Sequence, residues 1–320
     1  SVLYSNKGSQ PNTPVNIIIG ALILKQLLGL TDFELLQNIY FDDRFEFALG
    51  LTSWEDKPPV SYNTFTNFRK RVKAYYDKTG VDLIQEEVEN LSQLIADILD
   101  IKTKSTRVDS FMVASSCRNL SRIELIYTVN YQLIKKLKKI SIDLIPDEVM
   151  PYLKDGHKDE TIYKTKDTES ETKLEFLLKQ SKILYDAGIK TGPKVTETEE
   201  FKTLKRLLGE QTKDDNDFDN IEPKDNKDIS SDSLQNPSDP DATYRFKYGD
   251  NTGYTGNVAE IFDDNGSIIL YYDLQPNVYS DLKFSQDIIE KLSDFLEENP
   301  TNIDDANDID FNLLQMIVDG

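Results

Sequence analysis

Apolar residues recur at helical spacing through the first hundred positions. Pro14 opens a run through IIIGALILKQLLGL, and Thr31-x-x-Glu34, a capping-box pattern, precedes FELLQNIY. A third helix is predicted over Asp43 to Leu49. A fourth is predicted over FTNFRKRVKAYY with Ser61 as its cap, and a fifth over VDLIQEEVENLSQLIADIL. At residues 104–113 the pattern turns to β-branched and aromatic positions and predicts a strand. Helical patterns return in RIELIYTVNYQLIKKLKKI, DEVMPYL, KLEFLLKQSKILYDAG and EEFKTLKRLL. Strand patterns follow at YRFKYG, GYTGNVAEIF and SIILYYDL, and DDNG between the last two predicts a hairpin. A helix, DLKFSQDIIEKLSDFLEE, and a terminal strand, LLQMIVDG, complete the series.

This order predicts a helical domain over residues 1–100 and a mixed helix-and-strand domain over 101–320, with a helical insertion at 115–210. Residues 211–238 are polar, acidic and nearly free of large apolar groups, which predicts a flexible linker. That linker is either solvating sequence or an acidic tether that competes with DNA for a basic groove. The fold class expected is α+β or α/β, several folds of which share this element order.

Charge changes the picture by its distribution. The chain carries a formal charge of −20, which argues against a nucleic-acid partner. Residues 1–140, however, hold 18 Lys and Arg against 16 Asp and Glu, so the acidic excess belongs to the second part. One cysteine, Cys117, excludes an intramolecular disulfide and cysteine zinc clusters. The apolar run Ile17 to Leu24 is broken by Lys25 and is too short to span a membrane. A bacterial cytoplasmic, nucleoid-associated protein is the simplest location.

Two aspartates follow short apolar runs, Asp109 in STRVDS and Asp319 in QMIVDG. A carboxylate at the end of a buried strand is costly unless it meets a cation or a partner. Alternatively, Asp109 caps the following helix and Asp319 forms an Asp-Gly turn. A chain that begins SVLYSN and stops at IVDG reads as a piece of a longer protein, cut after its second site residue.

The segment SDPDATYRFKYGDNTGYTGNVAEIFDDNGSIILYYDLQPNVYSD carries Ser238, Asp239, Pro240, Asp241 and Ala242, then Gly253 and Tyr254, then Asp273, Asn277, Ser280 and Asp281. With DSFMVASSCRNLSRIELIY, IVDG, LLGLTDFELLQ and SYNTFTNFRKRV, it resembles bacterial insertion-sequence transposases of the DDE type. The resemblance implies an N-terminal helical, helix-turn-helix-like DNA-binding domain and a ribonuclease-H-like catalytic domain whose mixed sheet is incomplete here. It implies Asp109 and Asp319 as catalytic metal ligands, Mg2+ as cofactor with Mn2+ as substitute, and double-stranded DNA, both transposon ends and target, as substrate. A homodimer is compatible with that role. The reaction implied is metal-dependent strand cleavage followed by strand transfer, with Asp109 bridging two ions.

Two features depart from the family pattern. Its third carboxylate, a Glu downstream of the second Asp, is not in this chain, so the piece is expected to be inactive. Tyr279 stands where relatives often carry His. A non-catalytic DNA-binding or interaction protein of transposase descent is the alternative, and a metal-dependent nuclease without strand transfer is a third reading.

For DNA contact the candidates are Arg69, Lys70, Arg71 and Lys73 at a helix end, and Arg107, Arg118 and Arg122 near Asp109. Surface pairing with acids, or complementing a helix C-terminus, accounts equally well for these cations. Ser61, Thr64 and Asn67 fit base contact or capping. The Lys135 to Lys139 run reads as a solvated helix face, Tyr127 and Tyr131 as core, Trp54 as loop packing, and His157 as a solvated loop residue.

Overall fold

The computed structural model describes residues 2–4, 12–51, 60–101, 105–163, 170–213, 218, 221–247, 249–298 and 315–318. The chain divides into two compact units, residues 1–93 and 94–320.

The first unit is helical: α1 Val15–Leu28, α2 Asp32–Phe41, α3 Asp43–Ala48 and α4 Thr64–Thr79, with α5 Leu83–Leu99 running across the division. Thr31 and Glu34 form the capping box, each side chain accepting the other's backbone N–H, at 3.2 and 2.8 Å. Ile18, Leu35, Ile39, Phe65 and Phe68 close the core. Two expectations change here. The N-cap of α4 is Asn63 rather than Ser61, whose hydroxyl meets that of Thr64 at 2.9 Å. The basic run lies within α4 rather than at its end, because AYYDKT continues the helix to Thr79; Lys78 is the cation in the last turn. No single helix among the described residues is long and apolar enough to cross a membrane.

The second unit is built on β1 Ser105–Ala114, β2 Thr243–Phe246, β3 Asp250–Asp263, β4 Gly266–Pro276 and β5 Gln315–Val318. β3 is the hub. It pairs antiparallel with β1 along one edge, and with β2 and then β4 along the other. β5 lies beyond β1 and runs parallel to it. The helix α11, Asp281–Glu298, follows β4. Its Phe284 and Ile288 join Val108, Ala259, Ile261 and Leu270 in a buried cluster. The mixed α+β class expected from the pattern is therefore the observed one.

Between β1 and β2 the chain forms a helical subdomain with its own core. It contains α6 Arg122–Ile140, α7 His157–Ile162, α8 Ser170–Thr191, α9 Pro193–Thr196 and α10 Glu199–Gln211. DEVMPYL is a 3-10 segment rather than an α-helix, consistent with Pro151, which donates no N–H. Leu125, Ile126, Leu133, Ile134 and Leu137 of α6 pack against Leu177 and Leu184 of α8 and Leu204, Leu207 and Leu208 of α10. A fully buried Asn130 is satisfied rather than stranded. Its amide donates to the Leu177 carbonyl at 3.2 Å, and its carbonyl accepts from Ser181 at 2.8 Å.

Three readings need correcting. His157 begins α7 and meets the Tyr127 hydroxyl through Nδ1 at 3.0 Å, so it is partly buried against the core rather than solvated. Tyr127 is buried as expected, but Tyr131 is exposed. The described part of the acidic stretch, expected to be a flexible linker, is packed: Phe218 and Leu234 enter the insertion core. Arg206 donates to the carbonyls of Asp232 and Pro240 at 2.9 and 2.7 Å, and Glu210 accepts from the Leu234 N–H at 2.8 Å. Composition hides this because backbone carbonyls and amides, not apolar side chains, supply most of the anchors.

Candidate functional site

Asp109 sits in the middle of β1, exposed, opposite Val258 of β3. The strand continues through FMVA, whose residues pair with Gly253 to Gly256, so Asp109 does not end its strand. Nor does it cap a helix, since α6 starts only at Arg122 and is capped by Ser121 and Glu124. One Asp109 carboxylate oxygen accepts its neighbour Ser110's N–H at 2.8 Å. Among the described residues its other oxygen has no hydrogen-bond partner.

β5 brings a second strand alongside. Ser105 faces Gln315, and Val108 faces Val318, in parallel register. The paired positions thus stop one residue short of Asp109 on one strand and of Asp319 in the sequence of the other. Asp319 lies outside the described residues. No group of three or more His, Cys, Asp or Glu side chains suited to a metal occurs among the described residues.

The strand carrying Asp109 is fixed by contacts between distant motifs. Asp239 accepts hydrogen bonds from the Ser115 and Tyr254 hydroxyls. The end of β1, the DPDA turn and the start of β3 therefore share one carboxylate. Burial, and the Asp239 carboxylate that its hydroxyl serves, push Tyr254 well above the usual phenol range and keep it a donor. Gly253 permits this approach: a Cβ there would sit 2.2 Å from the Val113 carbonyl oxygen, and its φ is 153°. At Gly256 a Cβ would sit 2.6 Å from the Phe111 ring, so the missing side chain lets Phe111 lie across β3.

Asn277 performs a parallel service at the other edge. Its amide donates to the carbonyls of Thr243 and Asn251 at 3.1 and 3.3 Å, and its carbonyl accepts from Thr255 at 3.2 Å. It ties β2, β3 and the end of β4 together from a buried position. The sequence displays Asp239, Tyr254 and Asn277 as motif members, but only the fold reveals that they are cross-links. Ser115 carried no signal beyond its place after the strand.

The candidate cations have different fates. Arg69 is bound bidentately to Asp32 at 2.6 and 2.7 Å, and Lys25 meets the same carboxylate at 2.7 Å. This joins α1, α2 and α4, and chiefly the Arg69 hydrogen bond holds the Asp32 carboxyl well below the usual carboxylate range. Arg71 lies over the Tyr4 ring at 4.6 Å, and Lys73 pairs with Asp77 at 3.3 Å. Lys70 is exposed, and no ion pair forms to it among the described residues. Arg107 pairs with Glu260, and Arg118 with Glu124. Arg122 is half-buried and donates to Gln211 at 2.7 Å and Asn226 at 2.9 Å, anchoring α6 to the end of α10. Arg69 and Arg122 therefore serve packing, leaving Lys70 as the least encumbered of the seven.

Comparison with known proteins gives one match of a family model, described as a transposase domain (DUF772), to residues 1–71. No curated protein and no solved structure matches the chain. The match covers the helical unit up to Arg71 and supports a transposase family.

Proposed function

We propose that this chain acts in DNA transposition as a transposase of the DDE type. In this reading the N-terminal helices bind DNA, and a ribonuclease-H-like domain, interrupted after its first strand by the helical subdomain, performs strand cleavage and strand transfer. The observation that carries the reading is the register of β1 and β5. Two parallel neighbours pair Val108 with Val318, and each of those residues is followed in sequence by an aspartate. An antiparallel β1–β3–β4 series with a parallel strand on the far side of β1 supports the ribonuclease-H-like assignment. The transposase-domain match at residues 1–71 supports the class of reaction.

The donor chemistry of Asp109 fits a hard cation: an exposed carboxylate with one oxygen unclaimed among the described residues. Asp109 and Asp319 would hold Mg2+, with Mn2+ able to replace it. When bound, such ions neutralise charge that develops on phosphoryl oxygens. The protein's own contribution is positional. The Asp239 cross-link and the Gly253 contact fix β1 on β3. Lys70 and its neighbours Arg71 and Lys73 offer cations to the backbone of double-stranded DNA, and a homodimer would engage two transposon ends.

The test is made on the gene product that carries this chain, with transposon-end DNA and Mg2+ or Mn2+. Cleavage and strand transfer are expected, and Asp109→Ala is expected to abolish both while duplex affinity stays within about twofold. DNA binding that is absent in the parent, or cleavage that survives Asp109→Ala, overturns the reading.

A further inference from the structure

The helical subdomain carries an exposed cationic stripe. On α6, Tyr131, Lys135, Lys138 and Lys139 are exposed and recur at helical spacing along one side. Among the described residues no salt bridge forms to Lys135, Lys138 or Lys139; Lys135 rests over the Tyr131 ring at 5.4 Å. The neighbouring acids are already engaged: Glu200 pairs with Lys136 at 3.4 Å and Glu199 with Lys202 at 2.6 Å. The local balance is therefore positive on a chain whose total charge is −20. Lys135 and Lys139, four apart, repel each other, as do Lys135 and Lys138, three apart. The helix C-terminus favours Lys138 and Lys139 in its last turn, but Lys135 lies outside that turn. The stripe borders an open cleft of about 390 Å³ between α6 and α10, into which Gln132 and Thr203 also face.

We propose that this stripe is a second contact surface for the phosphate backbone of double-stranded DNA, separate from the N-terminal helices. This rests on the transposase reading, which supplies DNA as the substrate. The geometry favours a nucleic-acid backbone over a lipid surface. Insertion into a bilayer interface needs an apolar helix face, and the aliphatic residues of α6 pack into the subdomain core, Leu125, Ile126, Val129, Leu133, Ile134 and Leu137 buried and Ile123 and Ile140 partly buried. Three lysines within about 6 Å of helix axis present a compact charge array, and duplex DNA offers about one phosphate per 1.7 Å.

The experiment measures affinity for a duplex oligonucleotide across a salt series. The parent chain is compared with Lys135→Gln, Lys138→Gln and Lys139→Gln combined. A control combines Lys154→Gln, Lys190→Gln and Lys194→Gln, exposed lysines elsewhere on the same subdomain. Each lost phosphate contact should lower the salt slope by about 0.9, so the stripe variant should lose about 2 to 3 and bind about tenfold more weakly or worse. The control should keep the parent's slope. An unchanged slope in the stripe variant, or an equal loss in the control, overturns the proposal while leaving the transposase reading standing. A parent chain that does not bind duplex at all removes the DNA reading, and this inference with it. Thermal unfolding of the stripe variant should match the parent, since relief of like-charge repulsion offsets the lost interaction of Lys138 and Lys139 with the helix C-terminus and no core group is removed.

Discussion

The helical insertion and the sheet it interrupts reach stability by different routes. In the insertion, α6, α8 and α10 bury a core rich in leucine and isoleucine, and the buried Asn130 is satisfied within that core. In the sheet, α11 covers one face, where Val108, Ala259 and Ile261 are buried. The opposite face leaves Phe111 and Leu274 about half exposed, at 51% and 52%. The sheet relies more on specific polar cross-links: Asp239 between Ser115 and Tyr254, and Asn277 between β2 and β3. Its buried Asn257 has a side-chain oxygen without a partner among the described residues, a cost the insertion avoids at Asn130. β1 leaves Asp109 exposed on the face opposite Val108, so it does not bury both of its faces. The insertion carries the larger apolar core, while the sheet holds a half-open geometry.

Glycine substitutions should break this comparison most sharply. Gly253→Val places a side chain against the β1 backbone, where a Cβ already meets the Val113 oxygen at 2.2 Å. Urea unfolding should show a loss of more than about 3 kcal/mol or no folded sheet. Gly209→Ala on α10 meets open space and should raise stability by about 0.5–1 kcal/mol. Equal effects of the two would sink the distinction.

Next in size is the insertion core. Leu133→Ala removes a fully buried side chain and should cost about 2–5 kcal/mol. If the insertion is the stability reserve, this variant should lower the main thermal transition more than Asp239→Asn does. Asp239→Asn keeps the volume but weakens two hydrogen bonds to an ionised acceptor, and should cost about 1–3 kcal/mol. Tyr254→Phe, which removes one of them, should lose less. A larger loss for Asp239→Asn than for Leu133→Ala would reverse the assignment.

The pH dependence separates the regions further. Burial pushes the His157 imidazole below its ordinary value, so the folded insertion binds that proton less readily than the unfolded chain. Its stabilising contribution is present above the ordinary histidine pKa and is lost as pH falls through that range. His157→Gln should flatten the change in melting temperature between pH 7 and pH 5, and an unchanged pH profile would refute this. The smallest expected effect lies in the first unit. The depressed Asp32 carboxyl stabilises the fold above the ordinary carboxylate range and is lost only on strong acidification. Asp32→Asn should cost about 1 kcal/mol or less, because the pair is partly exposed.

Much of this architecture is legible in the sequence. The helices of the first unit, β1, the β3–β4 hairpin and α11 follow from apolar periodicity and turn residues, which act locally. The Thr31 and Glu34 capping box is the clearest case, since a cap is satisfied within four residues of itself. Misreadings arose where the deciding partner lay far off in sequence. By composition the acidic stretch reads as a flexible linker, but Arg206 and Glu210 capture its backbone. Arg69 is open in the sequence to DNA contact or to surface pairing, and the structure engages it with Asp32, 37 residues away. His157 looked solvated until Tyr127 and Tyr152 packed against it.

By itself the sequence determined the local elements, the acidic bias of the second part, and the residue types offered for chemistry. Tertiary structure alone decided which of those residues meet. It placed Val318 beside Val108 across more than two hundred residues of chain. It gathered Ser115 and Tyr254 around the Asp239 carboxylate, and it committed some arginines to packing while leaving Lys135, Lys138 and Lys139 exposed. The physical reason is the range of the forces involved. Periodicity and capping are written in neighbouring residues, whereas strand register and hydrogen-bond partners are fixed only when the whole chain has buried its core.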